Sequence, residues 1–332
     1  MYLAQLFSTV LTVWTIPVVV FYNHLSNNSK DSYYHFVKFM TANAIGVTFK
    51  TLFYQGRPYL VHKDVYGCTC DPGMPSGHSI MAVSGYYMAY VILSQRTGYF
   101  KASPSRTQLL KFICVLFPLG IMWSRVQLAA HSLDQISIGA LISLNVIVWF
   151  DRTLFERIYS YLEYKPFVLP FAFTIVMTIF GSAFIWINHE KREDTNFWLY
   201  WDKCPACLNT FVVAASRNVA LVFVLPGFMM FYPYEKKRYT TILEDHFLLY
   251  ERKWARFFVF LVNVCLVPGA IFGVLHFVQM RSITGIYGAS FFWFKLLSPL
   301  AFYAGAAMSS LNDYFYEKMN LNQCSRTRSD LR

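Results

Sequence analysis

The chain is 332 residues long, 56% hydrophobic and only 14% charged, and its mean hydropathy is positive. Soluble globular domains carry roughly 25% charged residues, so this composition excludes an ordinary soluble fold and predicts an all-α, polytopic membrane helix bundle. The net charge of +11 resides largely in short loops beside apolar segments, which explains it without nucleic acid as a partner.

A helix rising 1.5 Å per residue needs about 20 residues to cross a hydrocarbon core of about 30 Å. Apolar stretches suited to this lie near 2–22, 34–54, 76–94, 109–123, 135–150, 167–187, 209–232, 255–280 and 283–308. About nine transmembrane helices are therefore expected, the fourth and fifth being the shortest. The first, "MYLAQLFSTVLTVW", lacks the basic start and the small-residue cleavage pattern of a signal peptide and reads as a helix of the mature chain. No linker or repeat interrupts the series, so residues 1–310 read as one transmembrane domain and 311–332 as a basic tail.

Nine spans make the loops alternate sides. Loops 23–33, 95–111, 151–166 and 233–256, the tail and Lys38 hold nineteen of the 29 basic residues, the opposite loops hold eight, and Arg217 and Lys295 lie inside spans. The basic side is expected to be cytoplasmic. Of seven cysteines, Cys68, Cys70, Cys204 and Cys207 fall in outward loops, where an oxidising compartment permits disulfides. "CPAC" stands alone, without a second pair at zinc spacing, so no metal site is expected.

Three stretches at the outward ends of spans carry the chemistry. In "KTLFYQGRP", Lys50 lies near the end of the second span and Arg57 follows the helix-ending Gly56. In "DPGMPSGHSIMA", Pro75 and Ser76 look like the cap and first turn of the third span, and Gly77 lets the backbone approach a ligand where free N–H groups favour an anion. In "SRVQLAAHSLDQ", Ser124, Arg125 and His131 are placed at the start of the fifth span. Three cations, a helix N-terminus and two histidines on one face suit a phosphate dianion. The cations and N–H groups hold its oxygens, one imidazole attacks phosphorus, and the other gives a proton to the leaving alkoxide.

Each feature alone has a plainer reading: a histidine at a span boundary is usually interfacial, and a terminal Lys or Arg usually snorkels to water. The ordered combination is what points to phosphate. These stretches resemble the three signature motifs of the type 2 phosphatidic acid phosphatase (PAP2)/haloperoxidase superfamily, which includes lipid phosphate phosphatases and glucose-6-phosphatase. The resemblance spans residues 50 to 135. It implies His131 as nucleophile, His78 as general acid, and Lys50, Arg57, Ser76, Gly77 and Arg125 as the phosphate site, with no metal or other cofactor. One position departs. Most members carry aspartate four residues after the nucleophile, where this chain has Gln135, with Asp134 one position earlier. On a helix i+3 and i+4 both face the histidine, so either residue can accept its N–H. Glucose-6-phosphatases also carry Gln at this place.

That branch is also suggested by the nine spans, since lipid phosphate phosphatases usually have six, and by "TFVVAASRN". There Arg217 and Asn218 stand where the branch has a Lys-Asn pair. An arginine inside a span needs a polar cavity or a partner, so both are candidate substrate contacts, against an ion pair of Arg217 with a carboxylate such as Asp202.

The expected function is thus a membrane phosphomonoesterase acting on a lipid phosphate or a sugar phosphate through a phosphohistidine. The expected location is the endoplasmic reticulum membrane with the site facing the lumen. A PAP2-like accessory subunit without turnover, and a lipid-phosphate carrier, are the alternatives. Membrane lipids are expected neighbours. The charged loop "FYPYEKKRYTTILEDHFLLYERKW", 231–254, reads first as an amphipathic segment on the membrane and second as a docking surface for another membrane subunit. "NNS" at 27–29 matches a glycosylation pattern but falls on the inner side and is expected to be unmodified.

Overall fold

The computed structural model describes residues 30–53, 55–58, 72–96, 103–165 and 167–190, short stretches at 222–227 and 298–303, and the single positions 229, 258 and 262. Expectations about the span at 2–22, the cysteine loops, loop 231–254, Arg217, Asn218, Lys295 and most of the last three spans lie outside the described residues.

Among the described residues every regular element is a helix. The elements are α1 (Lys30–Phe53), α2 (Gly77–Arg96), α3 (Pro104–Gln127), α4 (Leu133–Trp149), α5 (Arg152–Tyr164) and α6 (Val168–Glu190). Five match expected spans. The fourth span, expected to be short, is α3 with 24 residues. Its polar first turn, "PSRTQ", falls outside any apolar window, yet Pro104 at the helix start is well suited to open a helix. The stretch 151–166, expected to be only a connection, contains α5. Phe155, Tyr159 and Leu162 are its buried stripe, at the i, i+4, i+7 spacing of an amphipathic helix.

The described residues fall into two compact units, the first holding α1 to α4 and the second holding 153–183 with the stretches at 222–227 and 298–303. In the first unit α2 is the hub, packing on α1, α3 and α4, while α1 also packs on α4. Ala42 of α1, Ile80 of α2 and Val146 of α4 meet in the core. In lipid, apolar side chains gain little by choosing protein over acyl chains, so close approach and interhelical hydrogen bonds hold such helices together. A methyl on Gly139 of α4 would come 2.7 Å from the Ser76 carbonyl oxygen and 3.1 Å from Ser79 Cβ. Four residues further along α4, Ser143 donates from its hydroxyl to the Ile80 carbonyl at 2.9 Å.

The end of the first unit opposite Lys50 is tied by a buried cation. Lys38 Nζ donates to the Ile147 carbonyl in the last turn of α4 at 2.8 Å, where a positive charge suits the helix dipole. It also lies over the Tyr34 and Tyr87 rings, at 4.7 and 5.8 Å. Lys38 and Lys50 are twelve residues apart on α1, roughly 18 Å along the axis.

Large apolar side chains point outward: Leu109, Phe112, Val115, Leu116, Leu119 and Trp123 on α3, Leu141, Leu144 and Val148 on α4, and Phe171, Val176 and Ile179 on α6 are exposed. Apolar faces this continuous belong against lipid or a partner rather than water. Among the described residues α3 is the one helix long and apolar enough to cross a membrane alone, and Leu133–Trp149 with Arg152–Leu162 passes as a broken second stretch. The second unit carries an apolar groove of about 410 Å³ lined by Phe171, Thr174, Phe223, Pro299 and Phe302.

Candidate active site

The three motif stretches meet within the first unit. Lys50 stands in the last turn of α1, and Arg57 follows in the segment 55–58. Arg125 closes α3. Lys50, Arg57 and Arg125 are all buried. The second stretch opens α2 at Gly77, one residue later than expected. Ser76 is its N-cap, its Oγ accepting from the Ser79 N–H at 3.4 Å. The first N–H groups of any helix have no acceptor within it, and the Lys50 side chain reaches over this end: its Cε lies 4.0 Å from where a Cβ on Gly77 would stand.

The third stretch differs from expectation. Ser124 and Arg125 are in the last turn of α3, and His131 lies in the turn between α3 and α4, one residue before the N-cap Ser132. The turn bends at Ala129, which has φ 49°, and is closed by the N–H groups of Ala130 and His131 donating to the Arg125 carbonyl at 3.0 and 3.2 Å. This left-handed residue at a helix end satisfies carbonyls that would otherwise be orphaned. It also turns the Ala130 carbonyl toward Arg57, whose Nη1 donates to it at 2.9 Å.

Because His131 precedes the helix, the i+3 and i+4 alternatives are no longer equivalent. Gln135 folds back, placing Oε1 3.1 Å from His131 Nδ1, whereas Asp134 is exposed. Gln135 Nε2 donates to the Gly56 carbonyl at 2.7 Å and to Gln55 Oε1 at 3.0 Å. The Gly56 carbonyl can only accept, so the amide nitrogen must face it and Oε1 must face the imidazole. His131 therefore carries its proton on Nδ1 and leaves a lone pair on Nε2. Arg57 Nη1, a donor only, sits 3.0 Å from that Nε2, in agreement with this tautomer.

The motif stretches are stitched by backbone bonds as well. The Ser76 N–H donates to the Gln135 carbonyl at 3.0 Å, and the Gly73 N–H to the Gln55 carbonyl at 2.7 Å. Gly73 is required for its size, since a Cβ there would lie 2.7 Å from both Gln135 amide atoms and 2.8 Å from the Gly56 carbonyl.

His131 is 1% exposed. Burial, followed by the charges of Arg57, Lys50, Arg125 and His78, holds its pKa well below the usual 6.5. It is neutral at neutral pH, which a nucleophile requires. The same influences show that the expected cations and His78 act on one imidazole. The arrangement thus brings together Lys50, Arg57, Ser76, Gly77, His78, Arg125, His131 and Gln135. Asp134 does not touch the imidazole. The sequence reading singled out neither Gln55 nor Gly73. Gln55 sits inside "KTLFYQGRP" and Gly73 inside "DPGMPSGHSIMA", with no local feature to mark the long-range contacts they make. Among the described residues no group of His, Cys, Asp and Glu side chains is arranged to hold a metal.

Residues 33–159 match the family model described as the PAP2 superfamily. The chain is 26% identical over 212 residues to glucose-6-phosphatase catalytic subunit 1 of Felis catus, covering 54% of this chain and 56% of that one. It is 24% identical over 212 residues to the Canis lupus familiaris protein of the same name. Against the Bos taurus protein it is 25% identical over 192 residues, 48% of this chain and 52% of that one. The chain thus spans about half the length of the curated relatives it matches. No solved structure matches it. Residues 33–159, with the three motif stretches inside them, are thus similar to the PAP2 superfamily, and over about half its length the chain is similar to glucose-6-phosphatase catalytic subunits.

Proposed function

We propose that the protein is an integral membrane phosphomonoesterase that works through a phosphohistidine at His131. The observation that carries this reading is a buried, neutral imidazole whose Nε2 lone pair is directed to Arg57 by the fixed amide of Gln135. In the resting site Arg57 donates to Nε2. An arriving phosphate dianion is a stronger acceptor, so the guanidinium turns to it while keeping the Ala130 carbonyl, and Nε2 is released to attack. The Nε2–P bond forms as the ester P–O bond breaks, and the departing alkoxide takes its proton from protonated His78. Lys50, Arg57, Arg125 and the α2 N-terminus hold the phosphoryl oxygens, whose charge shifts in the transition state. Water then attacks phosphorus and returns its proton to His78. The P–N bond breaks, and phosphate leaves.

Gln135 supplies the acceptor for Nδ1–H that a carboxylate supplies elsewhere in the superfamily, without the negative charge. The relatives, named glucose-6-phosphatase catalytic subunits, favour a sugar phosphate over a lipid phosphate. The bundle in this reading has nine spans in the endoplasmic reticulum membrane, with the site facing the lumen, as the distribution of basic loops suggests. Arg217 and Asn218 add substrate contacts. The test is phosphate release from glucose 6-phosphate, phosphatidic acid and sphingosine phosphate, in detergent and in liposomes, beside His131→Ala. Release lost in the variant supports the reading and identifies the substrate class. Equal release from both proteins, or none from either, rejects it.

A further inference from the structure

The hydrogen bonds at His131 continue beyond Gln135. Gln135 Nε2 donates to Gln55 Oε1 at 3.0 Å, so the Gln55 amide nitrogen points the other way, donating to Asp134 Oδ2 at 3.4 Å. The series reads Asp134 carboxylate, Gln55 amide, Gln135 amide, His131 imidazole, Arg57 guanidinium. Every donor in it meets an acceptor, and reversing any one amide would set donor against donor or acceptor against acceptor. It begins at an anion and ends at a cation, so each link polarises the next in one sense.

We propose that Gln55 is a positioning residue which, with Asp134, holds His131 as its Nδ1–H tautomer through the Gln135 amide, Asp134 acting as a remote carboxylate across two amides. The proposal rests on the phosphohistidine reading for its consequence in catalysis, but the tautomer and basicity of His131 can be read without turnover. Asp134 lies next to Gln135 in sequence, bonds the Ser132 side chain, and connects to the Gln135 amide nitrogen through Gln55, a residue about eighty positions earlier. The charged and titratable groups around His131 are Lys50 from α1, Arg57 from segment 55–58, His78 from α2 and Arg125 from α3, all of which oppose a second proton on the ring. Among the described residues the relay brings an opposing influence, a negative charge at its far end.

Two substitutions should move His131 in opposite directions. Asp134→Asn keeps the shape of an exposed side chain and removes the charge, so the imidazolium loses support and the midpoint falls by roughly half a pH unit or less. Gln55→Glu still accepts from Gln135 and brings a negative charge one link closer, so the midpoint rises, by about one pH unit. Gln55→Leu leaves one Gln135 N–H unmatched and should give mixed tautomers at neutral pH. The measurement is a nitrogen-15 titration of the histidine-labelled full chain in nanodiscs, with His131→Ala to assign the resonance. A purely structural role would move the midpoint in neither sense, and unchanged midpoints in both charge variants, or shifts of the same sign, overturn the proposal. Phosphate release measured on the same samples separates the two readings. If hydrolysis survives His131→Ala while the midpoints move as expected, the phosphohistidine reading fails and the relay stands. If hydrolysis requires His131 and the midpoints stay fixed, the relay alone fails.

Discussion

At the residue scale, the proposed chemistry turns on a single imidazole kept neutral, oriented and surrounded by cations. Removing the acceptor should be costly: Gln135→Leu leaves Nδ1–H without its partner and frees the ring to change tautomer. The expected loss is about 10- to 100-fold in kcat, with KM little changed, since the cations proposed to bind phosphate are untouched. Steady-state kinetics on whichever phosphate ester is turned over provides the check. The pH dependence follows from the depressed pKa of His131. Protonation removes the lone pair, so the acid limb of kcat/KM attributable to this residue should lie well below the ordinary histidine value of about 6.5. The same depression is a stability term. The unfolded chain takes up a proton at about 6.5 that the folded site refuses, so this contribution is complete above that pH. It declines as pH falls from there toward the folded pKa. Thermal unfolding of wild type and His131→Gln across pH 5 to 8 should show the wild type losing more on the acid side.

At the element scale, the site depends on how closely α4 approaches the start of α2 and on the shape of one turn. Gly139→Val should push α4 off the Ser76 carbonyl. Overpacking of this kind costs about 1–3 kcal/mol, and because the Ser76 N–H bonds to the Gln135 carbonyl, activity should fall together with the melting temperature. The turn offers the reverse experiment. Ala129 holds a left-handed conformation, φ 49°, that costs an L-residue roughly 1–2 kcal/mol. Ala129→Gly should keep activity and stabilise the protein by up to about 1 kcal/mol after the extra entropy of glycine in the unfolded chain is subtracted. A fall in both properties would mean that the methyl group itself is needed at the turn.

At the scale of the whole molecule, the outward apolar faces of α3, α4 and α6 define the medium in which the bundle works. The protein should remain with the membrane pellet after alkaline carbonate extraction and should aggregate when detergent is removed, the exposed leucines and phenylalanines being incompatible with water. Tags inserted between α2 and α3 and at the C-terminus should both be accessible from the cytoplasmic side, as the bias of basic residues requires. Accessibility of those two tags on opposite sides would overturn the nine-span arrangement.

The sequence by itself determined that the described residues are helical and apolar, and five of their helices follow from runs of apolar residues, because covering backbone polar groups in an apolar surrounding leaves a helix as the simple solution. It also marked the candidate phosphate site, since Lys50, Arg57, "PSGH", Arg125 and His131 are recognisable as types in a fixed order, and the structure brings them together. Periodicity did not mark α5, because its buried stripe is short and its flanks are charged. Helix spacing also misjudged Asp134 and Gln135: the rule for neighbours on a helix presumes that His131 is on one, whereas a left-handed residue at Ala129 places it in a turn. Only the tertiary structure decided which side chain holds the imidazole, which nitrogen carries the proton, and that Gln55 and Gly73 belong to the site. Those outcomes depend on hydrogen bonds and close approaches between segments roughly sixty to eighty residues apart, and the direction of such a bond is set by the acceptor it meets in space, which no local pattern records.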